Sequence, residues 1–370
     1  MRALGIILAG GNNDRLGDLT DKRASSAMPV GSCYRALDFP LSNMANSGIS
    51  KVAVITQFNS RSLHDHLSSA KWWDLGFKQG GLFVFSPYLS NENSYWFKGT
   101  ADSIYQNLTY LKRSNEPYVI IVSGNGVYKM DYNETIAYHV KKDADVTIVY
   151  KEEIGDEDLR MYGILDVDKT DMVVNFEQKP LEPQSNLISL GIYIMSRTML
   201  IKLLEAIHLE GRHDLVEDVF LRYRKRLRIY GYKYEGYWRS LNSVKSYYEC
   251  NMDFLNPDIR SLLTRQFPYI KTKPKDEPPA KYNIGANVTD CLVGSGSILN
   301  GYAKHSVLFR KVYTGENSSI TNAVVMEGCY IGNNCVVENA ILDKEAVLSD
   351  GKRIIGGATE PLIISKGSVL

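Results

Sequence analysis

The chain has 370 residues, 44% of them hydrophobic and 23% charged, which is typical of a globular protein with about two or three domains. Its formal net charge of +1 gives no strong field toward nucleic acid or a membrane, and no apolar run approaches the roughly 18 residues of a membrane span. Five scattered cysteines form no CxxC pair, so we expect neither a disulfide framework nor a zinc site, and a cytoplasmic location is the simplest.

Strand-like and helix-like segments alternate over the first 250 residues. Apolar runs predict strands at 3–9, 51–56, 118–122 and 145–150, the first of them favoured over a signal peptide. A strand-rich block follows at 161–195, and helices are predicted at 101–113, 133–142, 197–207 and 214–224. Buried strands alternating with helices favour an α/β sheet that is covered on both faces.

Prolines punctuate residues 256–280, at Pro257, Pro268, Pro274, Pro278 and Pro279. This composition predicts a linker or a clasp rather than a packed element. The predicted organisation is a domain at 1–255, a linker at 256–280 and a second domain at 281–370.

The last ninety residues repeat. One row, Val307, Val324 and Ile341, recurs every 17 residues, a second row, Leu308, Val325 and Leu342, does the same, and Leu292 precedes Leu308 by 16. Small and polar residues fill the gaps. A period near 17 with three short strands per turn predicts a β-helix solenoid, which we favour over an ordinary antiparallel β-domain.

A glycine pair, Gly10 and Gly11, directly follows the first predicted strand. Glycines there let backbone N–H groups approach a phosphate, and Arg15 could add a fork of donors. A plain tight turn is the alternative, because the loop matches neither a Walker loop nor a GxGxxG fingerprint.

The stretch VIIVSGNGVYKMDY (119–132) reads as a buried strand that delivers a polar loop to the edge of the sheet. An enzyme that handles phosphates needs a carboxylate at such a loop to hold a metal ion. This loop offers Asn125 instead.

The combination LAGG–RL–LT–KRA–MPV–YRALDFPLSN–NSGI resembles the N-terminus of ADP-glucose pyrophosphorylases (glucose-1-phosphate adenylyltransferases). The resemblance covers the whole chain through WFKGTADSIYQN, SGNGVYKMDY, MYGILDVD, FEQKP, SLGIYIM and YWRSLNSVKSYYECNMDFL. It implies an α/β nucleotidyltransferase domain (Rossmann-like, with a mixed sheet) followed by a C-terminal left-handed parallel β-helix that supports tetramer assembly and regulation. It also implies a Mg²⁺-dependent reaction of ATP with glucose-1-phosphate that gives ADP-glucose and pyrophosphate.

The departures from the family pattern concentrate where its chemistry takes place. Asn125 and Ser240 stand where the G-D-H and W-R-D-V-G motifs have aspartates, so the carboxylates of both metal-anchoring positions are missing. Ser25 replaces the lysine of R-A-K-P-A, and the segment HDLVED (213–218) lacks the family's Gly and Lys. Losing one well-placed electrostatic group typically costs about 10²–10³ in rate. We therefore expect no intact catalytic residue, no bound metal, no tightly bound cofactor and little or no activity of the chain alone.

Other family positions are kept or conservatively changed. Those implied to bind nucleotide are Gly10, Gly11, Arg15, Gly99, Asp102 and Gln106. Those implied to bind a sugar phosphate are Gly163, Gln178 (a glutamate in the family), Lys179, Ser189 and Tyr193. Those implied to bind or relay effectors are Arg35, Gln57 and Trp96, with core packing as an equal alternative for Trp96.

A chain that keeps the family's motifs but lacks its metal-anchoring and catalytic residues resembles the GlgD-type companion subunit of bacterial glycogen biosynthesis. That subunit assembles with a catalytic subunit, usually as a heterotetramer. The leading hypothesis is a regulatory or structural subunit of this kind, possible also as a homo-oligomer. The first alternative is an active sugar-nucleotide pyrophosphorylase that uses substitute residues. The second is a sensor that binds a sugar phosphate without catalysis.

Three further signals are weak. His64 and His66 lie at i and i+2, point to different sides of a helix and predict a solvated face rather than a metal pair. His305 alone gives little support for an acyltransferase in the repeat region. The basic run 222–228 predicts a solvated helix end rather than a nucleic-acid surface.

Overall fold

The computed structural model describes residues 2–76, 80–88, 95–153, 155, 158–357 and 360–370. In the first domain the strands are β1 (Ala3–Ala9), β2 (Pro29–Val30), β3 (Tyr34–Arg35), β4 (Lys51–Thr56), β5 (Gly81–Phe85), β6 (Tyr118–Ser123), β7 (Gly126–Tyr128), β8 (Val146–Glu152), β9 (Gly163–Val167), β10 (Val173–Gln178), β11 (Leu187–Ser196), β12 (Ile229–Lys233) and β13 (Trp238–Ser240). The helices are α1 (Asp38–Asn46), α2 (Arg61–His66), α3 (Thr100–Tyr105), α4 (Leu108–Lys112), α5 (Tyr132–Lys141), α6 (Arg197–Leu209) and α7 (Val244–Asp253). Short 3₁₀ helices lie at Asp14–Thr20, Ser25–Ala27, Ala70–Trp73 and Leu159–Met161, and a π-helical turn lies at Val216–Leu221.

A mixed sheet organises this domain. Its path runs β10-β9-β11-β6-β1-β4-β5, with β8 beside β11 and β12 beside β8. Strands β6, β1, β4 and β5 are parallel, whereas β11 runs antiparallel to β6. The loops after β1 and β6 therefore leave the same edge of the sheet, which is where ligands bind in open α/β sheets.

Alternate side chains of each central strand enter two separate cores, as the period of a strand requires. Ile7 and Val54 face one core, which α1, α2 and α5 cover. Ile6 and Ile121 face the other, which α3, α4 and α6 cover. The prediction of a sheet covered on both faces is confirmed.

Two predicted helices are interrupted. The helix predicted at 101–113 divides into α3 and α4 at Asn107, whose φ of −105° and ψ of 23° are not helical. The Asn107 amide donates to the Ser103 carbonyl (2.8 Å), a local side-chain bond of the kind that competes with regular helix. The segment predicted at 214–224 contains the π-helical turn instead of a regular α-helix.

The second domain is a solenoid of short parallel strands. They are β14 (Lys281–Tyr282), β15 (Asn287–Val293), β16 (Ile298–Leu299), β17 (Tyr302–Leu308), β18 (Tyr313–Thr314), β19 (Ser319–Val325), β20 (Tyr330–Ile331), β21 (Val336–Leu342), β22 (Val347–Leu348), β23 (Arg353–Ile355) and β24 (Leu362–Ile364). One sheet runs β14-β16-β18-β20-β22 and another runs β15-β17-β19-β21-β23, with β24 also on β21. This arrangement confirms the predicted β-helix.

The two predicted rows of the repeat face opposite ways. Leu308, Val325 and Leu342 point into the solenoid. Val307, Val324 and Ile341 point outward and are buried against the first domain. Leu292, which precedes Leu308 by 16 residues, does not belong to the same row, because Leu292 pairs with Val307 and Val293 pairs with Leu308. Only two residues separate β16 from β17, whereas four separate β18 from β19, so the first coil is shorter.

His305 belongs to a ladder of left-handed turn residues in the solenoid. Asp290, His305, Asn322 and Asn339 have φ values of 49°, 47°, 49° and 48° at equivalent positions of successive coils. His305 Nδ1 lies 2.5 Å from Asp290 Oδ2, and the Asn322 amide donates to Asn339 Oδ1 at 3.2 Å. His305 therefore takes the place of a turn asparagine, which accounts for it without acyl transfer.

The proline-rich segment is packed in its first half, contrary to the expectation of a linker. Helix α8 (Pro257–Arg260) and a π-helical turn at Ser261–Arg265 bury Leu263 completely. Beyond them Ile270 is buried, and Lys271 exchanges two hydrogen bonds with the Ser42 hydroxyl. The segment thus acts as a clasp across the first domain. None of the helices in the described ranges is long and apolar enough to cross a bilayer.

A buried ion pair joins the two domains. Arg23 Nη2 lies 2.7 Å from Asp343 Oδ1, and the two side chains are only 7% and 1% exposed. The same interface buries Val324 and Met326 of the β-helix against Tyr247 and Phe254. Tyr248 donates a further hydrogen bond to the Asn322 carbonyl at 2.8 Å. The domains therefore share one continuous core.

We predict that Arg23→Ala destabilises the protein by about 3–5 kcal/mol, because it leaves the Asp343 carboxylate buried without its partner. Replacing both partners with apolar residues (Arg23→Met with Asp343→Leu) should recover most of that loss. Urea denaturation would measure the free energy of unfolding. As a control, Lys112→Ala breaks an exposed pair with Glu205 and should cost less than about 1 kcal/mol. Equal losses for Arg23→Ala and Lys112→Ala would contradict the role given to the buried pair.

Candidate functional site

The glycine loop after β1 combines one crowded and one open glycine. A Cβ on Gly10 would lie 3.1 Å from both the backbone nitrogen and the Cβ of Gln57, so the loop packs tightly against the end of β4. A Cβ on Gly11 would meet nothing within 4 Å, and the following Arg15 is exposed. The loop is thus compatible with an anion in front of Gly11, and a contact of Arg15 with that anion stays a prediction.

The loop is fastened across the site by Asn13. Its amide nitrogen donates to the carbonyls of Leu241 (3.2 Å) and Asn242 (3.3 Å). Those carbonyls follow β13, so these two bonds join the loop after β1 to the loop that follows Ser240.

The structure places Asn125 and Ser240 together, as the resemblance implies. β7 pairs with β13 so that Ser240 lies opposite Gly126, and the Leu241 N–H donates to the Asn125 carbonyl at 3.1 Å. The Asn125 amide nitrogen donates to Asn242 Oδ1 (3.0 Å), and the Ser240 hydroxyl donates to the same oxygen (2.8 Å). Ser123 in turn donates to Asn125 Oδ1 at 2.6 Å. Amides and hydroxyls therefore satisfy one another at both positions where the family has carboxylates.

These residues do not fit a divalent cation. Mg²⁺ prefers charged oxygen ligands, whereas the side-chain oxygens here are neutral, and those of Asn125 and Asn242 already accept hydrogen bonds. Within the ranges that the structure describes, no group of three or more His, Cys, Asp or Glu residues could hold a metal ion.

Ser25 lies in a buried 3₁₀ turn beside this site. The neighbouring Ser26 hydroxyl packs against Gly124, where a Cβ would lie 2.8 Å from the hydroxyl oxygen. The turn is thus adjacent to the loop of Asn125. A neutral hydroxyl at Ser25 supplies none of the positive charge that a lysine would bring to phosphates.

The candidates Gly99, Asp102 and Gln106 have local structural partners. A Cβ on Gly99 would lie 2.4 Å from the His213 carbonyl oxygen, and the Asp102 N–H donates to that oxygen at 3.1 Å. The Asp102 carboxylate accepts hydrogen bonds from the Lys98 N–H (2.8 Å) and the Gln106 amide (2.9 Å). These bonds hold the start of α3 against the 213–215 loop. A role of the three residues in nucleotide binding stays a prediction.

Gln57 and Trp96 lie on the outer side of the glycine loop. The Gln57 side chain donates to the Phe97 carbonyl (3.3 Å) and accepts from the Phe97 N–H (2.8 Å). Trp96 is 63% exposed and stacks on Phe58 with a centroid distance of 6.0 Å and an interplanar angle of 7°. Core packing, the alternative for Trp96, is therefore wrong. Gln57 links the segment of Trp96 to Gly10 by direct contact.

The sugar-phosphate candidates lie on three adjacent strands. Gly163 pairs with Gln178 across β9 and β10, and a Cβ on Gly163 would be 3.0 Å from Gln178 Oε1. Lys179 follows in a left-handed conformation (φ 49°), with its side chain exposed. Their grouping agrees with a common pocket, and a sugar-phosphate role stays a prediction.

Ser189 and Tyr193 flank an irregularity in β11. Their oxygens are 3.5 Å apart, and burial raises the pKa of Tyr193 to about 12, so its hydroxyl stays protonated. The pairing of β11 with β8 shifts between Ser189 and Ile192, where Gly191 has a φ of 67°. A Cβ on Gly191 would lie 3.4 Å from Ser123 Cβ, which places this bulge beside the Asn125 network.

A cationic cavity of about 140 Å³ lies where the first domain, the proline-rich segment and the β-helix meet. Its charged lining residues are Arg35, Lys273, Lys275, Arg310 and Lys344 on the positive side, and Asp65 and Glu327 on the negative side. Glu327 contacts Arg310 (3.0 Å) and Lys344 (2.9 Å). Cations outnumber carboxylates, so the cavity is suited to an anion.

Burial and neighbouring charges shift the pKa values of three residues that line this cavity. Burial lowers the pKa of Arg35 and of Lys344, and neighbouring cations lower both further. Burial opposes ionisation of Glu327, but Lys344 and Arg310 hold its pKa below the ordinary value. Positive charge is therefore crowded here, with Glu327 as the counterion that Arg310 and Lys344 share.

His66 corrects the prediction of a solvated helix face. Its side chain is 6% exposed, and its Nε2 lies 2.6 Å from Asp38 Oδ1, while its ring packs edge-on to Trp73. Asp38 also accepts the Arg35 N–H at 2.8 Å, so His66 supports the wall of the cationic cavity. His64 is exposed and points to Thr56 and Ser86 instead, which confirms that the two rings do not converge.

Asn242 is the site residue that the sequence analysis missed. Its side-chain oxygen accepts both bonds that join Asn125 to Ser240. A signal was present, because the family pattern Y-W-R-D-V-G-T has glycine at this position. Asn242 therefore adds a side chain to the site, beside the two positions that lack a carboxylate.

Comparisons with known proteins place the chain among relatives of matching length. Residues 4–256 match the model of the Nucleotidyl transferase family, and residues 278–360 match the GlmU-like, C-terminal hexapeptide model. The parallel coils of this second region are thus those of a left-handed β-helix. The chain is 40% identical over 353 residues to the glucose-1-phosphate adenylyltransferase of Bacillus mycoides (strain KBAB4), which covers 95% of this chain and 94% of the relative. The same values hold for the glucose-1-phosphate adenylyltransferases of Bacillus thuringiensis (strain Al Hakam) and Bacillus anthracis. The chain therefore belongs to the glucose-1-phosphate adenylyltransferase family of nucleotidyl transferases.

Proposed function

We propose that this chain is a non-catalytic, regulatory subunit of glucose-1-phosphate adenylyltransferase. It would act in cytoplasmic glycogen biosynthesis and assemble with a catalytic subunit as a heterotetramer. The observation that carries the proposal is the neutral hydrogen-bond network of Asn125, Ser240 and Asn242 at the metal-anchoring positions.

The family reaction explains why this network matters. A sugar phosphate must attack the α-phosphorus of ATP, so two anions have to approach each other. Metal ions and cationic side chains normally neutralise this charge. Here the metal positions are neutral and Ser25 stands in place of the lysine, so charge repulsion between the substrates is left largely uncompensated.

Ligand binding is a separate question from turnover. The open side of Gly11, the exposed Arg15 and the exposed Lys179 leave positive or donor groups for phosphates. These groups support retained binding of a nucleotide or a sugar phosphate, because binding can outlive catalysis. We include such binding in the proposal.

The cationic cavity between the domains supports the regulatory role in this proposal. An anion in it would compete with Glu327 for Arg310 and Lys344, and would at the same time contact Arg35 of the first domain. Binding there would strengthen the contact between the domains. Because Asp38 contacts both Arg35 and His66, the effect would extend to α1 and α2.

The decisive prediction concerns activity in mixtures. This chain alone should form ADP-glucose from ATP and glucose-1-phosphate with Mg²⁺ at least about 10³-fold more slowly than the catalytic homologue of the same organism. Mixing the two should raise the rate per catalytic subunit above that of the homologue alone. Size-exclusion chromatography would report a mixed oligomer.

Serum albumin at the same concentration serves as the control for non-specific stabilisation of the homologue. Robust turnover by this chain alone would favour the active-enzyme alternative and overturn the proposal. No increase in the homologue's rate in any mixture and no mixed oligomer, together with glucose-1-phosphate binding by this chain, would favour the sensor.

A second prediction concerns the cavity. Arg35→Gln or Lys344→Gln should weaken binding of inorganic phosphate to the full chain roughly 10-fold, because each removes one charge-assisted contact. Isothermal titration calorimetry measures this without the partner. Lys112→Gln, an exposed cation elsewhere, is the matched control and should leave the affinity unchanged. Identical affinities for all variants would remove the cavity from the proposal.

A further inference from the structure

The Asn242 carboxamide lies between the two positions that lack a carboxylate. Asn242 Oδ1 is 3.0 Å from the Asn125 amide nitrogen and 2.8 Å from the Ser240 hydroxyl oxygen, and it accepts a hydrogen bond from each. A carboxamide oxygen has two lone pairs, so both are used. The group thus touches the same two side chains that a bridging cation would touch if both were aspartates.

We propose that Asn242 replaces the divalent cation as the link between these positions and excludes a cation from the site. This inference rests on the proposed non-catalytic function and gives it a structural cause. A cation would hold two carboxylates by charge, whereas the amide holds two neutral groups by hydrogen bonds. The protein therefore needs no metal to keep the loops after β6 and β13 together.

The position of Asn242 is fixed from several sides. Its backbone carbonyl accepts from the Asn13 amide at 3.3 Å, and the preceding Leu241 N–H donates to the Asn125 carbonyl at 3.1 Å. Ser123 holds Asn125 from the other side at 2.6 Å. The loops after β1, β6 and β13 are thus tied into one unit, so the carboxamide cannot leave without breaking several bonds.

This arrangement predicts how the site would respond to restored carboxylates. In Asn125→Asp with Ser240→Asp, rotation of the Asn242 amide would turn its two N–H donors toward the two new carboxylates. Charge-assisted hydrogen bonds of this kind are strong. The amide would then compete with a cation, and two aspartates alone would be insufficient to recreate a metal site.

The test is Mn²⁺ binding to the full chain, without nucleotide or partner, measured by calorimetry and by the electron paramagnetic resonance signal of free Mn²⁺. The chains compared are the wild type, Asn125→Asp/Ser240→Asp, and that double variant with Asn242→Ala added. We expect the triple variant to bind Mn²⁺ at least roughly 10-fold more tightly than the double variant, and the wild type to show no binding at this site. The exposed Asn186→Ala, added to the double variant, is the matched control and should change nothing.

A thermal readout accompanies the titration. Mn²⁺ should raise the unfolding temperature of the triple variant and leave that of the wild type unchanged, because only a ligand that binds the folded state stabilises it. If the alanine triple variant does not fold, Asn242→Gly, the residue of the family pattern, takes its place. Equal Mn²⁺ affinity of the double and triple variants would overturn the role of Asn242, as would tight Mn²⁺ binding by the wild type.

The two proposals fail separately. Turnover by the wild type alone would remove the non-catalytic function, whatever the Mn²⁺ affinities of the variants. Equal Mn²⁺ affinities, with the wild type still silent, would remove only the role of Asn242.

Discussion

The shared core between the first domain and the β-helix is the constraint on which the rest of the structure depends. The outward row of Val307, Val324 and Ile341 is buried only because the first domain covers it. An apolar row on the outside of a solenoid would otherwise be a large exposed patch. The buried pair of Arg23 and Asp343 fixes how the two surfaces meet, and the cationic cavity forms at the border of this contact.

The scaffold determines where the candidate site lies, independently of the charges in it. The order of parallel strands brings the ends of β1 and β6 to one edge, and this topology does not depend on which polar residues sit there. What changes is the means of holding the loops. Neutral bonds through Asn13, Asn125 and Asn242 replace the attraction between carboxylates and a cation.

Most of the fold could be predicted from the sequence because buried parallel strands and solenoid rows have strong periodic signals. Local interactions that interrupt a regular pattern could not be predicted from the sequence. Asn107 divides a predicted helix, and a shorter turn shifts Leu292 to pair with Val307. The buried environment of His66 could not be predicted either, since its partner Asp38 is distant in sequence. At the site, the missing carboxylates were readable as substitutions, but the bonds that Asn242 makes required the fold.

The two candidate sites of this molecule differ in the charge of their side chains. The positions where the family pattern has aspartates carry amides and hydroxyls, whereas the cavity between the domains concentrates cations around Glu327. Catalysis needs charge where the substrates react, but regulation needs it only where an effector can alter the contact between rigid parts. An anion that displaces Glu327 from Arg310 and Lys344 would act on the interface that orders the whole chain. The proposed non-catalytic subunit can therefore still change the behaviour of an assembly, provided that its interface responds to the ligand.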